Sequence, residues 1–490
     1  MMGGGIRLLA IALAMALLPA AAPGLATQNP QSEEWRKTPP NPAAPAPLSL
    51  PQPRQFSLPN GLEVILVVDH RTPLTTMQVA VPINLTASRN PAILTGEVTL
   101  AEATGELMAS GAGTRTSLQL ARDVESLGGR LVSEASDDFV AVAAEVISEN
   151  TEQVMELMAD VLLRPTFPQS EVALYKANRI QKLTADRQDP AFLADQRFDL
   201  EVFGELPYAI SAPTPAAVRA ITRWSISRYH RKNVGPRGSV LVMTGDFDAA
   251  RIEAKARRLF ESWNTPATPA AHQPAALRTP SSRVVYLIDR PGSEQADFRI
   301  GGPAVPRNDR DRPPLVVANA ILGDGTSSRL FLNIRERLGY AYDVTSSVQS
   351  LKRAGAFYAS SQARTEVAAS AIKATLAELE RMRDEPVSAE DLRIAKNYLS
   401  GLFSLSLATQ EGITDWLTTV HIFALGRSYL EGYRERIESV TPEQVRAAAQ
   451  KYMRTDRAII VVVGDAKKLR KELESIGRIS LFDVRGNRRS

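Results

Sequence analysis

The chain contains no cysteine. Disulfides and a thioether lipid anchor are therefore excluded, and a fold of this size must hold by core packing alone. Histidine is almost as scarce. His70, His230, His272 and His421 stand singly, and no two have the one-turn spacing by which a helix presents paired imidazoles to zinc. Aromatic residues make up 6%, with no periodic platform on which bases could stack. The formal charge is +4 over 490 residues, too weak and dispersed to point to nucleic acid. Beyond residues 8–18 no apolar run approaches the roughly 20 residues needed to cross a bilayer. What is present is an ordinary globular composition, 44% hydrophobic and 23% charged, sufficient for a large core.

The first residues carry a local signal. Arg7 precedes an apolar run from Leu8 to Leu18, and small residues follow to Gly24-Leu25-Ala26, an A-x-A-like site. This predicts a signal peptide over 1–26, cleaved near Ala26, and a secreted or periplasmic protein with no stable membrane span after its removal; retention as an anchor is the alternative. Residues 27–54 are rich in proline and alanine and read as a linker. A second proline-rich stretch, with Pro266, Pro269, Pro274 and Pro280, predicts an interdomain linker at 264–282. It separates an N-terminal domain at 55–263 from a C-terminal domain at 283–480.

Within those bounds the periodicities define elements. Order is expected from Phe56, with Leu58-Pro59-Asn60-Gly61 as a turn, then strands at 63–68 and 75–81. Leu118, Ala121, Val124 and Leu127 have helical spacing, and Gly128-Gly129 stops the helix. Leu131–Ala135 and Phe139–Val146 flank Asp137-Asp138 as a hairpin. Asn150 is the expected side-chain cap of a helix over 152–163. Near the end of the first domain, a helix over 221–232, a strand ending in Gly245-Asp246 and a helix over 249–263 follow one another. The second domain ends the same way: a helix over 441–452, a strand ending in Gly464-Asp465 and a helix over 467–476. The shared order argues for an internal duplication of units of about 210 residues. Hairpins mixed with helices make the class α+β, two tandem homologous half-shells, each an antiparallel-rich sheet packed with helices.

Several segments in this order resemble the insulinase/pitrilysin family, which includes mitochondrial processing peptidase. They are Phe56-Ser57-Leu58-Pro59-Asn60-Gly61-Leu62-Glu63-Val64 and Gly113-Thr114-Arg115-Thr116 before a helix ending Glu125-Ser126-Leu127-Gly128-Gly129. In the second half they are Gly325-Thr326-Ser327-Ser328-Arg329-Leu330-Phe331 and Arg335-Glu336-Arg337-Leu338-Gly339-Tyr340-Ala341-Tyr342. The resemblance covers about 54–480. It implies an inverted zinc motif, H-x-x-E-H, at 102–106. Here Glu102 replaces the first histidine, Gly105 the general-base glutamate and Glu106 the second histidine. The distal carboxylate ligand falls on Lys182, beside Gln181. An ammonium there repels a divalent cation, and without the base no bound water is deprotonated. No metal is therefore expected in this chain. Glu102 and Glu106 alone would suit a hard cation better than zinc. The plainer expectation is a solvated acidic helix face pairing with Lys182.

The resemblance also implies a second contribution to the active site, an arginine and a tyrosine seven residues apart that hydrogen-bond substrate near the scissile carbonyl. Arg335 and Tyr342 match, with Arg335 expected near a helix end, Tyr342 on the next strand, and both facing one cavity. Gly323-Asp324-Gly325 lacks the Gly-Lys-Ser/Thr ending of a phosphate loop. The resemblance lends Gly323 and Gly325 a weak substrate-binding role, and the residues alone suggest a turn that caps a helix at Thr326 or Ser327. His421, near Trp416 and Phe423, is expected in a core or groove, and His70 in an exposed turn. The implied function is a non-catalytic subunit that pairs with a zinc-bearing paralogue, which supplies metal and base, and binds extended or unfolded peptide. The alternative is a structural or peptide-binding scaffold with no role in proteolysis.

Overall fold

The computed structural model describes residues 52–85, 87–264 and 277–489. The expected signal peptide, nearly all of the first linker and most of the second, with His272, lie outside them. The first half builds a six-stranded sheet from β1 (Arg54–Ser57), β2 (Glu63–Val68), β3 (Leu74–Pro82), β6 (Gly129–Ala135), β7 (Phe139–Ile147) and β8 (Val240–Gly245). A small ribbon, β4 (Gly111–Ala112) with β5 (Arg115–Thr116), stands apart. The second half builds another sheet of six from β9 (Val284–Asp289), β10 (Gln295–Ala304), β11 (Ala341–Ser350), β12 (Gly355–Arg364), β13 (Ile459–Gly464) and β14 (Arg478–Asp483).

The sheets run β6-β7-β3-β8-β2-β1 and β11-β12-β10-β13-β9-β14. Five positions match one for one in chain order. In both, the last long strand lies parallel to the first strand of its unit (β8 on β2, β13 on β9) and antiparallel to the second. The duplication read from the sequence is thus present in the topology. Only the sixth strand differs: β1 is antiparallel to β2, whereas β14 is parallel to β9.

The central strands Val240–Gly245 and Ile459–Gly464 are buried at every residue, as expected when both faces of a sheet are covered. The covering layers are exchanged. The helix Pro190–Phe203, from the first half, packs on β10 and β13 of the second sheet. Leu193, Phe198, Val202 and Phe203 join Ile459, Val461 and Val463 in one cluster there. Reciprocally, the helix Gln410–Ile422, from the second half, packs on β3 and β8 of the first sheet. There Ile422 meets Ile65, Ala80, Val240 and Val242. Hydroxyls suit this second contact: Thr414 Oγ1 donates to Thr244 Oγ1 at 2.9 Å, and Thr418 Oγ1 to Gln78 Oε1 at 2.7 Å. The described residues of both halves consequently fall in one compact unit.

Some local expectations fail. Asn150 does not cap the helix Thr151–Leu163 with its side chain; its Nδ2 donates to the Leu127 carbonyl at 2.9 Å, fastening the preceding turn. The helix Ser117–Ser126 buries Leu120 and Val124, while Leu118 is exposed. The two Gly-Asp pairs have diverged. Asp465 caps the helix Ala466–Leu473, but Asp248 caps the equivalent helix Ala249–Phe260. Asp246 instead meets His70 Nδ1 at 2.5 Å. Gly245 is required by packing, since a Cβ there would lie 2.4 Å from the Leu74 carbonyl oxygen.

Phe198 is 1% exposed within the exchanged layer. Phe198→Ala should lower unfolding free energy by about 3–5 kcal/mol. In denaturant unfolding followed by separate probes in the two halves, both midpoints should fall together. A shift confined to one half would contradict the shared layer.

Candidate active site and its lost metal

The segment expected to carry the zinc motif is the end of the helix Pro91–Leu107, which starts with an Asn90 side-chain cap and Pro91 at its first position. Its partner is the helix Gln169–Asp186. That helix buries Val172, Tyr175 and Leu183, a stripe with Arg179 at its middle and Lys182 at its exposed edge. The outcome corrects the expected pairing. Lys182 is exposed and donates to both carboxylate oxygens of Asp186 at 2.9 Å. Arg179 turns inward instead, and its Nη2 meets Glu102 Oε1 at 2.5 Å. The acidic face is therefore not simply solvated. It closes on a guanidinium, one turn from the position that the resemblance assigns to the distal ligand.

Glu102, Glu106 and Arg179 line a cavity of 430 Å³ together with Ser136, Asp137 and Tyr208. Burial pushes the Glu102 carboxyl up to about 7, with Arg179 opposing and Glu106 adding to the rise. Burial raises Glu106 as well. Zinc does not fit this donor set. There is no imidazole, a fixed cation already takes the Glu102 carboxylate, and no group of three metal-binding side chains exists among the described residues. The described histidines are scattered: His230 Nε2 bonds the Leu162 carbonyl, and His421 Nε2 that of Gly238. Gly105 is fixed by packing. A Cβ there would lie 2.7 Å from Ala135 Cβ and 2.9 Å from the Glu134 carbonyl oxygen on edge strand β6.

Next to this cavity the halves are tied by Asp138. Its Oδ1 accepts from the Tyr208 hydroxyl at 2.5 Å, and its Oδ2 from the Lys352 N–H at 3.0 Å in the β11–β12 turn. Arg353 Nη1 donates to the Leu85 carbonyl at 3.1 Å.

In the second half Arg335 and Tyr342 do come together. The guanidinium stacks 4.5 Å from the Tyr342 ring centroid and 4.6 Å from that of Phe331. Arg335 lies in a π-helical turn, Phe331–Arg337, and Tyr342 lies where the β11–β12 register slips between Ala341 and Val344. Both irregularities re-aim side chains. Tyr342 is 81% exposed and lines an open cleft of 600 Å³ with Asp297, Arg299 and Arg364; Arg335 is not part of that wall. Gly323 ends the helix Arg312–Gly323 against Ser346, where a Cβ would lie 2.5 Å from the Ser346 nitrogen. Gly325 has φ +98° beside the Tyr398 ring. The helical turn that follows opens at Arg329, later than the expected caps Thr326 and Ser327.

Comparison with known proteins adds the following. Residues 100–197 match the family profile described as insulinase, peptidase family M16, and residues 220–399 match that of the peptidase M16 inactive domain. An uncharacterized zinc protease of Streptomyces coelicolor is 26% identical over 369 residues, covering 74% of this chain and 79% of the relative. One of Mycobacterium tuberculosis is 25% identical over 457 residues, covering 90% and 99%. Among solved structures, a peptidase M16 inactive domain from Pseudomonas fluorescens superposes with a TM-score of 0.75 at 24% identity, covering 84% of this chain and 98% of that one. A protease from Helicobacter pylori superposes at 0.76 and 17% identity, covering 84% and 100%. These two likenesses concern the fold.

Two predictions follow from the site. Because the folded state holds the Glu102 proton more tightly than the usual carboxyl range near 4.5, its contribution to stability is complete below that range and is lost as pH rises through about 7. Denaturant unfolding of wild type and Glu102→Gln from pH 4 to 8 should show the wild type losing ground to the variant over that interval; parallel curves would refute the assignment. At Gly105, Ala gains up to about 1 kcal/mol in helix propensity but meets a main-chain oxygen that cannot move aside. Overpacking of about 1–3 kcal/mol should win, so Gly105→Ala should lower the urea midpoint.

Proposed function

The chain belongs to the insulinase family, peptidase family M16, and from that premise we propose that it acts as the non-catalytic partner of a zinc-bearing paralogue in an exported heterodimer. The observation that supports this reading is the Arg179–Glu102 ion pair, beside the residues to which the resemblance assigns the family's metal. A protein that has filled its metal position with a guanidinium has no means of activating water there. It keeps the other contribution, Arg335 and Tyr342.

The chemistry those two residues offer is donation. A tetrahedral intermediate of peptide cleavage gathers charge on one oxygen, and a guanidinium and a phenol held in advance stabilise that charge. Their ring stacking restricts both side chains. Tyr342 belongs to β11, an edge strand of its sheet. An extended peptide adding there would be held by main-chain hydrogen bonds and would pass the pair with little regard to sequence. The partner would supply metal and base. Export rests on the leader-like residues 1–26. Among the described residues no helix is long and apolar enough to cross a membrane.

Mixing tests the reading. The isolated chain should bind no stoichiometric zinc by elemental analysis and cleave no peptide. Addition of the zinc-bearing paralogue should give activity, and Arg335→Ala or Tyr342→Phe should cut kcat on the order of 10²-fold while leaving heterodimer formation intact. If both variants support full activity in the mixture, the scaffold reading replaces this one. Chelator-sensitive hydrolysis by the lone chain would overturn both.

A further inference from the structure

A second charged cluster lies away from both sites. The loop after β10 carries Arg307, and Arg312 opens the helix Arg312–Gly323. The Arg307 guanidinium lies 5.4 Å from the Phe423 ring centroid and 6.0 Å from that of Trp416. Arg312 Nη1 donates to the Tyr429 hydroxyl at 3.1 Å. The Nε of each arginine is buried without a hydrogen-bond partner. Tyr433 sits in the field of Arg312, Arg307 and Arg436 together.

No carboxylate balances these charges among the described residues. The acids of the same loop are committed elsewhere. Asp309 accepts from the Asp311 N–H at 2.8 Å, and Asp311 accepts from Lys451 Nζ at 2.6 Å and from the Tyr452 hydroxyl at 2.7 Å. Arg310 also reaches Asp311, at 3.8 Å. Burial, and then the neighbouring Arg312, bring the Arg307 guanidinium down to about 10, as a cation without a counter-charge requires. Ring faces offset part of that cost. They accept no hydrogen bond, and they do nothing for two like charges side by side. Both arginines are half-buried, and two adjacent guanidiniums suit a planar or tetrahedral oxyanion gripped by two or more N–H groups. Pro313 and Pro314 have no N–H, so main-chain donors at this helix start are few and the arginine side chains must carry the recognition.

The geometry points to an oxyanion-binding site formed by Arg307 and Arg312 within the aromatic wall of Trp416, Phe423, Tyr429 and Tyr433, for a phosphate or carboxylate group. A bound anion would offset the repulsion between the two guanidiniums, so it would bind the folded chain and stabilise it by mass action. The site is independent of the pairing proposed above, because it uses none of that site's residues.

Thermal unfolding of the purified full chain, at constant ionic strength set with sodium chloride, tests this. One arm adds sodium phosphate and the other adds N-acetylglutamate as the carboxylate. A saturable rise in Tm in either arm supports the site and identifies the source by which arm responds more steeply. Arg307→Met, which keeps the aliphatic stem and removes the charge, should equal or exceed the wild-type Tm in chloride and lower the apparent affinity for the anion at least tenfold. Should that variant fail to fold, Arg312→Gln must show the same loss. A flat response in both arms, or an undiminished response in the folded variant, overturns the assignment.

Discussion

The exchange of helices between the two halves is the constraint on which the rest of the structure depends. A sheet of six strands with only one covered face would have to expose strands as apolar as Val240–Gly245 or Ile459–Gly464. Each half solves this by lending a helix to the other. Burial of Leu193, Phe198, Val202 and Phe203 on the second sheet and of Ile422 on the first makes either half incomplete alone. Without cysteine, this hydrophobic interlock and the Asp138 tie do the work that disulfides do in many exported proteins.

The Arg179–Glu102 pair joins two helices across the first cavity. Arg179 contributes one positive charge from the helix Gln169–Asp186, and Glu102 meets it from the helix Pro91–Leu107. The helices are bridged there beside a pocket of 430 Å³. Gly105 then allows edge strand β6 to close against the helix, a contact that a larger residue would prevent.

Much of this was legible in the residues. The strands, the Gly-Asp repeat and the Arg335–Tyr342 spacing all report local preference or linear order, and the duplicated topology follows from them. The absence of paired histidines excludes a zinc site of this type whatever the fold. The errors were local and have a common cause. The acidic face pairs with Arg179 and not with Lys182, because Arg179 lies at the middle of the inward stripe formed by Val172, Tyr175 and Leu183. The helical spacing of Leu118, Ala121, Val124 and Leu127 does not mark the buried face, which runs through Leu120 and Val124. Asn150 has the right chemistry for a cap, but a tertiary acceptor, the Leu127 carbonyl, competes for it.

The sequence by itself determined the class, the two-unit order, the missing imidazoles and the survival of an arginine and tyrosine at matched spacing, because each is a property of residues near one another along the chain or of composition. Only the tertiary structure decided that Arg179 rather than Lys182 faces Glu102, that helices cross over between the halves, and that Arg307 and Arg312 sit among aromatic rings with no ion-paired acid among the described residues. Those facts depend on which side of a helix meets another element across separations of a hundred residues or so, and packing of that kind is set by the whole core at once.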